Sequence, residues 1–287
     1  MTETRLMSSA MSDFSTRRVM MVDTQVRPSD VTKFPIIEAM LAVPREVYVP
    51  AAKREAAYMG ENLDLAPGRV MLEARTLAKM LDALDVQPTE TVLDLGCGLG
   101  YSTAVIARMA EAVVAVEENE ALASEAQRTL SSQGVDNAAV IVGPLAAGAV
   151  KPGPYDVITL QGAVEVVPDA LLAQLKEGGI MIVPVGQSDA VQGLIKVTRS
   201  AQGFEYEELR QVRFVPLVEG IQGVTNRRLD DSYSGDGVIW NRGHLVMSDH
   251  AQRISPEAGC NTHVFWNASP QAADLNQGPW LHLENYS

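Results

Sequence analysis

The chain has 287 residues, 46% hydrophobic and 21% charged, with a net charge of −13. That length holds one large domain or two smaller ones, and the composition is that of a globular protein. The negative charge argues against general attraction to nucleic acid or an anionic membrane. No apolar run reaches the roughly 20 residues of a membrane-spanning helix. The first 21 residues carry early charges and no long apolar core, so the expected location is the cytoplasm. Cys97 and Cys260 lie in unlike stretches and are expected as free thiols.

Residues 1–16 are polar and Ser/Thr-rich, and a mobile terminus is expected. Arg17 to Arg27 reads as a helix on Val19, Met20, Val22 and Val26. Asp30 is a candidate cap for a second helix carrying Ile36, Ile37, Met40 and Leu41. Residues 51–71 read as irregular. Glu73 to Leu84 is an amphipathic helix whose stripe, Leu77, Met80, Leu81 and Leu84, reads as core.

A strand then runs into a glycine turn, Val92-Leu93-Asp94-Leu95-Gly96-Cys97-Gly98-Leu99-Gly100-Tyr101, and a helix is expected to follow as far as Glu111. Next come a strand over 112–116, a helix from Asn119 to Gln133, and strands at Ala138–Val142 and Tyr155–Leu160. A short helix is expected over Pro168–Leu175 and a strand over Gly179–Val185. Two antiparallel strands, Leu194–Thr198 and Phe204–Val215, close the block. Strands alternating with helices imply a mostly parallel sheet covered on both faces, an α/β fold of the Rossmann-like kind.

The turn reads Gly96-x-Gly98-x-Gly100, not the GxGxxG of dinucleotide dehydrogenases. Glycines there let a ligand touch the backbone. Asp94 at the strand end favours a cationic ligand group over a phosphate. Glu117, at the end of the next strand, suits the two hydroxyls of a ribose. S-adenosylmethionine has a sulfonium, an amino group, a ribose and no phosphate. The expected cofactor-binding residues are therefore Asp94, Gly96, Gly98, Gly100 and Glu117.

Three stretches carry a family resemblance. They are Ala39-Met40 with Val43-Pro44-Arg45-Glu46 and Val49-Pro50; Val92 through Thr103, including Gly100-Tyr101-Ser102-Thr103; and Tyr155-Asp156-Val157-Ile158 with Val167-Pro168, Leu171-Leu172, Gln174-Leu175 and Gly178-Gly179. On these residues the chain resembles the protein-L-isoaspartate O-methyltransferase family over residues 17–220. The resemblance implies a seven-stranded methyltransferase sheet and methylation of a side-chain carboxylate on proteins or peptides with isoaspartyl residues. Two segments depart from the family's pattern. A Gly-x-Thr-x-Ser type segment is replaced by Gly68-Arg69-Val70-Met71-Leu72-Glu73, and a Gly-Asp-Gly by Gly143-Pro144-Leu145. Arg69 is the candidate to pair with a substrate carboxylate in place of the lost hydroxyl.

The last part of the chain differs in composition. All four histidines and all three tryptophans follow residue 224, and no lysine follows Lys196. This marks a junction, with a second segment over 221–287. Asn241-Arg242-Gly243-His244, Phe265-Trp266-Asn267-Ala268-Ser269-Pro270-Gln271 and Leu275-Asn276 resemble the DNA/RNA non-specific endonuclease family, in its ββα metal-finger part. The resemblance implies His244 as the base that activates water, Asn276 as ligand of a hydrated Mg²⁺, Arg242 as a phosphate contact and Glu284 behind the metal. Nucleic acid is a partner if that segment is competent. A third reading is a non-catalytic protein that kept the fold and the glycine loop.

Overall fold

The structure is a computed structural model that describes residues 13–186, 192–212, 240–244 and 268–272. Seven strands form one sheet in the order β5-β4-β3-β6-β7-β8-β9. They are β3 Thr91–Leu95, β4 Ala112–Glu117, β5 Ala138–Val142, β6 Tyr155–Leu160, β7 Leu175–Val185, β8 Gln192–Ser200 and β9 Gly203–Val212. β3 pairs in parallel with both β4 and β6, and β6 with β7, while β8 and β9 join antiparallel. The expected Rossmann-like seven-stranded sheet is present. Val92, Leu93 and Leu95 are fully buried, as a central parallel strand with covered faces requires.

Before the sheet come α1 (residues 13–21), α2 Phe34–Ala42, the hairpin β1 Leu63–Ala66 and β2 Arg69–Met71, and α3 Ala74–Leu84. Within the sheet lie α4 Tyr101–Ala107, α5 Glu120–Ser132 and the short α6 Asp169–Leu172. The amphipathic stripe of α3 is core as read: Leu77, Met80, Leu81 and Leu84 are each at most 2% exposed. Asn119 caps α5, its side chain accepting from the N–H groups of Ala121 and Leu122.

Several boundaries differ from the sequence reading. The first helix already includes residue 13, because Asp13 pairs with Arg17 and Phe14 lies against Tyr58. The α-helix ends at residue 21, widens into a π-helical turn at Val22–Val26 and then tightens into a 3₁₀ turn at Arg27–Ser29. Asp30 does not cap α2; it closes the preceding turn at φ 61°, and Lys33 holds the cap position with Pro35 in the first turn. Residues 51–71 are not irregular. They contain a short helical turn at Ala51–Ala56 and the β1–β2 hairpin, which turns through Pro67-Gly68 with Gly68 at φ 68°. That pair is a turn signal, proline fixing one φ and glycine supplying the positive one. α4 stops at Ala107, not Glu111, because the Asn137 amide donates to the carbonyls of Ala107, Ala110 and Glu111. β7 starts at Leu175, four residues earlier than read, and α6 is correspondingly short.

Apart from this sheet, β10 Trp240–His244 pairs antiparallel with β11 Ala268–Ala272, setting Asn241 opposite Gln271 and His244 opposite Ala268. The chain divides into two units, Met1–Ile221 and Gln222–Ser287. Among the described residues no helix is long and apolar enough to cross a membrane.

Arg45 fixes the segment beneath the hairpin. Its guanidinium is fully buried, donates to the carbonyls of Ala57 and Leu72 at 2.6 Å each, and lies 4.7 Å from the Tyr101 ring centre. Two buried carbonyls depend on this one side chain, and an unpaired buried acceptor costs about 1–3 kcal/mol. Arg45→Ala is therefore expected to lose at least about 3 kcal/mol of unfolding free energy in urea titrations, with Arg45→Lys in between.

Candidate active site

The site stands at the carboxyl end of β3, where the strand order reverses between β4 and β6, the usual place for a ligand in an open α/β sheet. Gly96, Gly98 and Gly100 have φ of 77°, 57° and 93°, and Gly100 leads directly into α4. At Gly98 a side chain would be strained by φ alone, and its Cβ would lie 2.6 Å from the tip of Leu65. The hairpin thus closes directly over the glycine turn.

Two fully buried carboxylates flank that turn. Asp94 Oδ2 accepts from Ser102 Oγ and Thr103 Oγ1, and Oδ1 from Gln161 Nε2, all at 2.7 Å. It ties β3 to the first turn of α4 and to the end of β6. From sequence, Asp94 is expected to attract a cationic ligand group; the structure sets it beneath the turn with three protein donors. Glu117 Oε2 accepts from the Gly98 N–H, and Oε1 from the Asn119 N–H and Arg69 Nε, each at 3.0 Å. Gly98 and Glu117 are therefore in direct contact.

Arg69 is 9% exposed and sits on β2. Besides Glu117, it donates to Glu118 Oε2 at 3.3 Å and to the Gly68 carbonyl at 2.9 Å. Sequence spacing gave no sign of the Arg69–Glu117 pair, which joins residues 48 apart. The roles of Ser102, Thr103 and Gln161 were also missed. Ser102-Thr103 directly after the glycine turn is a visible signal, since two hydroxyls in a first helical turn can reach back to the preceding strand.

Beside the turn is a small cleft. Gly96, Cys97, Ser102 and Gln161 form one side, and Leu65, Val70, Met71 and Leu72 of the hairpin segment the other. Burial, with the charges of Asp94 and Glu117, holds the Cys97 thiol well above its ordinary range, so it is neutral and no nucleophile. Among the described residues no cluster of His, Cys, Asp and Glu suits a metal ion. His244 is placed by its strand register alone; Asn276 and Glu284 lie outside the described residues.

Residues 18–222 match the family described as protein-L-isoaspartate(D-aspartate) O-methyltransferase. The protein-L-isoaspartate O-methyltransferase of Ruegeria sp. (strain TM1040) is 42% identical over 196 residues, covering 68% of this chain and 91% of that protein. The chain belongs to the protein-L-isoaspartate O-methyltransferase family. The enzyme of the same name from Paracoccus denitrificans is 41% identical over 68% of this chain and 91% of its own length. A solved protein-L-isoaspartate O-methyltransferase superposes with a TM-score of 0.61 at 23% identity, covering 83% of this chain and 76% of that one. A Plasmodium falciparum member solved with S-adenosyl-L-homocysteine gives 0.61 at 21% identity, covering 71% and 99%. These two likenesses show a shared fold. Separately, residues 199–287 match the family described as DNA/RNA non-specific endonuclease.

Burial raises the Asp94 carboxyl above its ordinary range; hydrogen bonds from Thr103, Ser102 and Gln161 oppose the rise, and the charge of Glu117 adds to it. A pKa that is higher folded than unfolded gives stability that is complete below the unfolded value and lost as pH rises through the folded value. As pH climbs from about 4, the thermal midpoint of the wild type is expected to fall relative to that of Asp94→Asn. A constant difference across that range would remove this assignment.

Proposed function

We propose that residues 17–220 form an S-adenosylmethionine-dependent methyltransferase that esterifies the free carboxylate of isoaspartyl residues in proteins and peptides. The observation that carries the reading is Glu117, a fully buried carboxylate at the end of β4 in contact with the glycine turn. The residues fit the cofactor. Glu117 would hold the ribose, and the donor set contains no phosphate-binding cation on the turn. Bound there, the cofactor supplies a methyl group on a positively charged sulfur that leaves as a neutral thioether.

The acceptor carboxylate is ionised at neutral pH, so the chain need supply no general base. Its work is to hold the acceptor in line and to keep water out. Leu65, Val70, Met71, Leu72 and Leu77 give the pocket an apolar wall suited to exclusion. Arg69 is the side chain proposed to meet the acceptor carboxylate; it is held at Glu117 and Glu118, on the hairpin whose Leu65, Val70 and Met71 line the pocket. A reducing, cytoplasmic compartment suits the reading, as Cys97 is a free buried thiol.

Calorimetry with S-adenosylhomocysteine tests the proposal. Wild type is expected to bind and to transfer labelled methyl to an isoaspartyl peptide, and Glu117→Ala to weaken cofactor binding by roughly tenfold or more. No binding at millimolar ligand would sink it. Binding without methylation would instead favour a non-catalytic homologue.

A second reading concerns residues 221–287 and is supported by the endonuclease-family match over 199–287. Here His244 would activate water and Asn276 would hold Mg²⁺ against a nucleic-acid phosphodiester. This reading requires Mg²⁺-dependent nicking of plasmid by the full chain, abolished in His244→Ala. Nicking unchanged by that substitution assigns it to a contaminant.

A further inference from the structure

We propose that the hydroxyls of Tyr48 and Tyr101 donate to the acceptor carboxylate in the cleft, with the charge of Arg45 behind them. The inference rests on the methyltransferase reading above and names two further residues of its acceptor site. It adds to the contact proposed for Arg69, since a carboxylate accepts at about four positions.

The cleft leaves few polar groups unspent. Its hairpin wall is apolar, with Leu65, Val70 and Met71. On the other side the Ser102 hydroxyl and the Gln161 amide nitrogen both donate to Asp94. Tyr48 and Tyr101 line the same cleft. They are 1% and 2% exposed, and among the described residues neither hydroxyl has a hydrogen-bond partner. Their ring centres are 6.0 Å apart, so the two belong to one site. Burial raises both phenols above their ordinary range, so each keeps its proton and can donate. Leaving a buried hydroxyl unpaired costs stability, and phenylalanine would fill either position without that cost. Two such hydroxyls on one cleft are accounted for by a partner that arrives with the ligand.

Arg45 decides the sign of that ligand. It shares the helical turn Arg45–Tyr48 with one tyrosine, and its guanidinium stands 4.7 Å from the ring centre of the other. It is fully buried, its hydrogen bonds end on the neutral carbonyls of Ala57 and Leu72, and Nη1 has no partner among the described residues. Glu73, whose charge reaches it, is held by Arg75 and Thr76. A buried cation hydrogen-bonded only to neutral groups favours an anion nearby. Two hydroxyl donors beside such a cation fit a carboxylate, and the acceptor carries one. Arg45 acts through Tyr101 and Tyr48 as a positioning residue; the two tyrosines touch the substrate.

The experiment is calorimetry on the full chain, saturated with S-adenosylhomocysteine and titrated with an isoaspartyl peptide. It compares wild type, Tyr48→Phe and Tyr101→Phe, with the thermal midpoint of each. Each substitution is expected to weaken peptide binding about tenfold, while S-adenosylhomocysteine affinity stays within about twofold. The midpoint should hold or rise, because no partner within the protein is lost. Hydroxyls that only support the local structure give the reverse pattern, a lower midpoint with peptide affinity unchanged. A fall of the midpoint in either variant, or peptide affinity within about twofold of wild type in either, overturns the inference and leaves the methyltransferase reading standing. Failure of the wild type to bind either ligand sinks that reading, and this inference with it.

Discussion

The end of β3 is held by one buried carboxylate. Asp94 draws Ser102 and Thr103 back from the first turn of α4 and Gln161 across from the end of β6. A buried carboxylate without donors would be prohibitive, so these three contacts are a condition for its burial. They leave the segment between strand and helix little choice of path, and the positive φ angles at Gly96, Gly98 and Gly100 follow from turning so tightly. Everything that faces a ligand here depends on that turn being fixed.

Glu117 works from the other side of the same turn. Its contact with the Gly98 N–H fixes the backbone, and its contact with Arg69 fastens the β1–β2 hairpin to the end of β4. One acid therefore joins the glycine turn to the β1–β2 hairpin. The pair is buried, and removing either partner would strand the other charge, which is costlier than losing an exposed ion pair.

This arrangement suits a displacement at a methyl carbon. The nucleophile is a carboxylate that is already ionised, and the sulfur leaves without needing a proton. Nothing in the pocket has to move a proton. The thiol of Cys97 is kept neutral by burial and by its acidic neighbours, consistent with a site built for alignment and dryness.

The sequence by itself determined the alternation of strands and helices, the glycine turn, and the spacing from Asp94 to Glu117. Those features are local: periodicity of 2 or 3.6, glycine where φ is positive, and an acid at a strand end. It also marked the compositional junction near residue 224, because composition needs no fold to be read. The hairpin at Leu63–Met71 reads as irregular in the sequence, because its strands are too short to show a period. Only the tertiary structure decided that Asn137 ends α4, that Asp94 lies beneath the turn, and that Arg69 meets Glu117 across 48 residues. Each of these is a side-chain contact between elements distant in sequence. Its energy depends on burial and on which donors the fold brings within 3 Å, and neither quantity is written in local pattern.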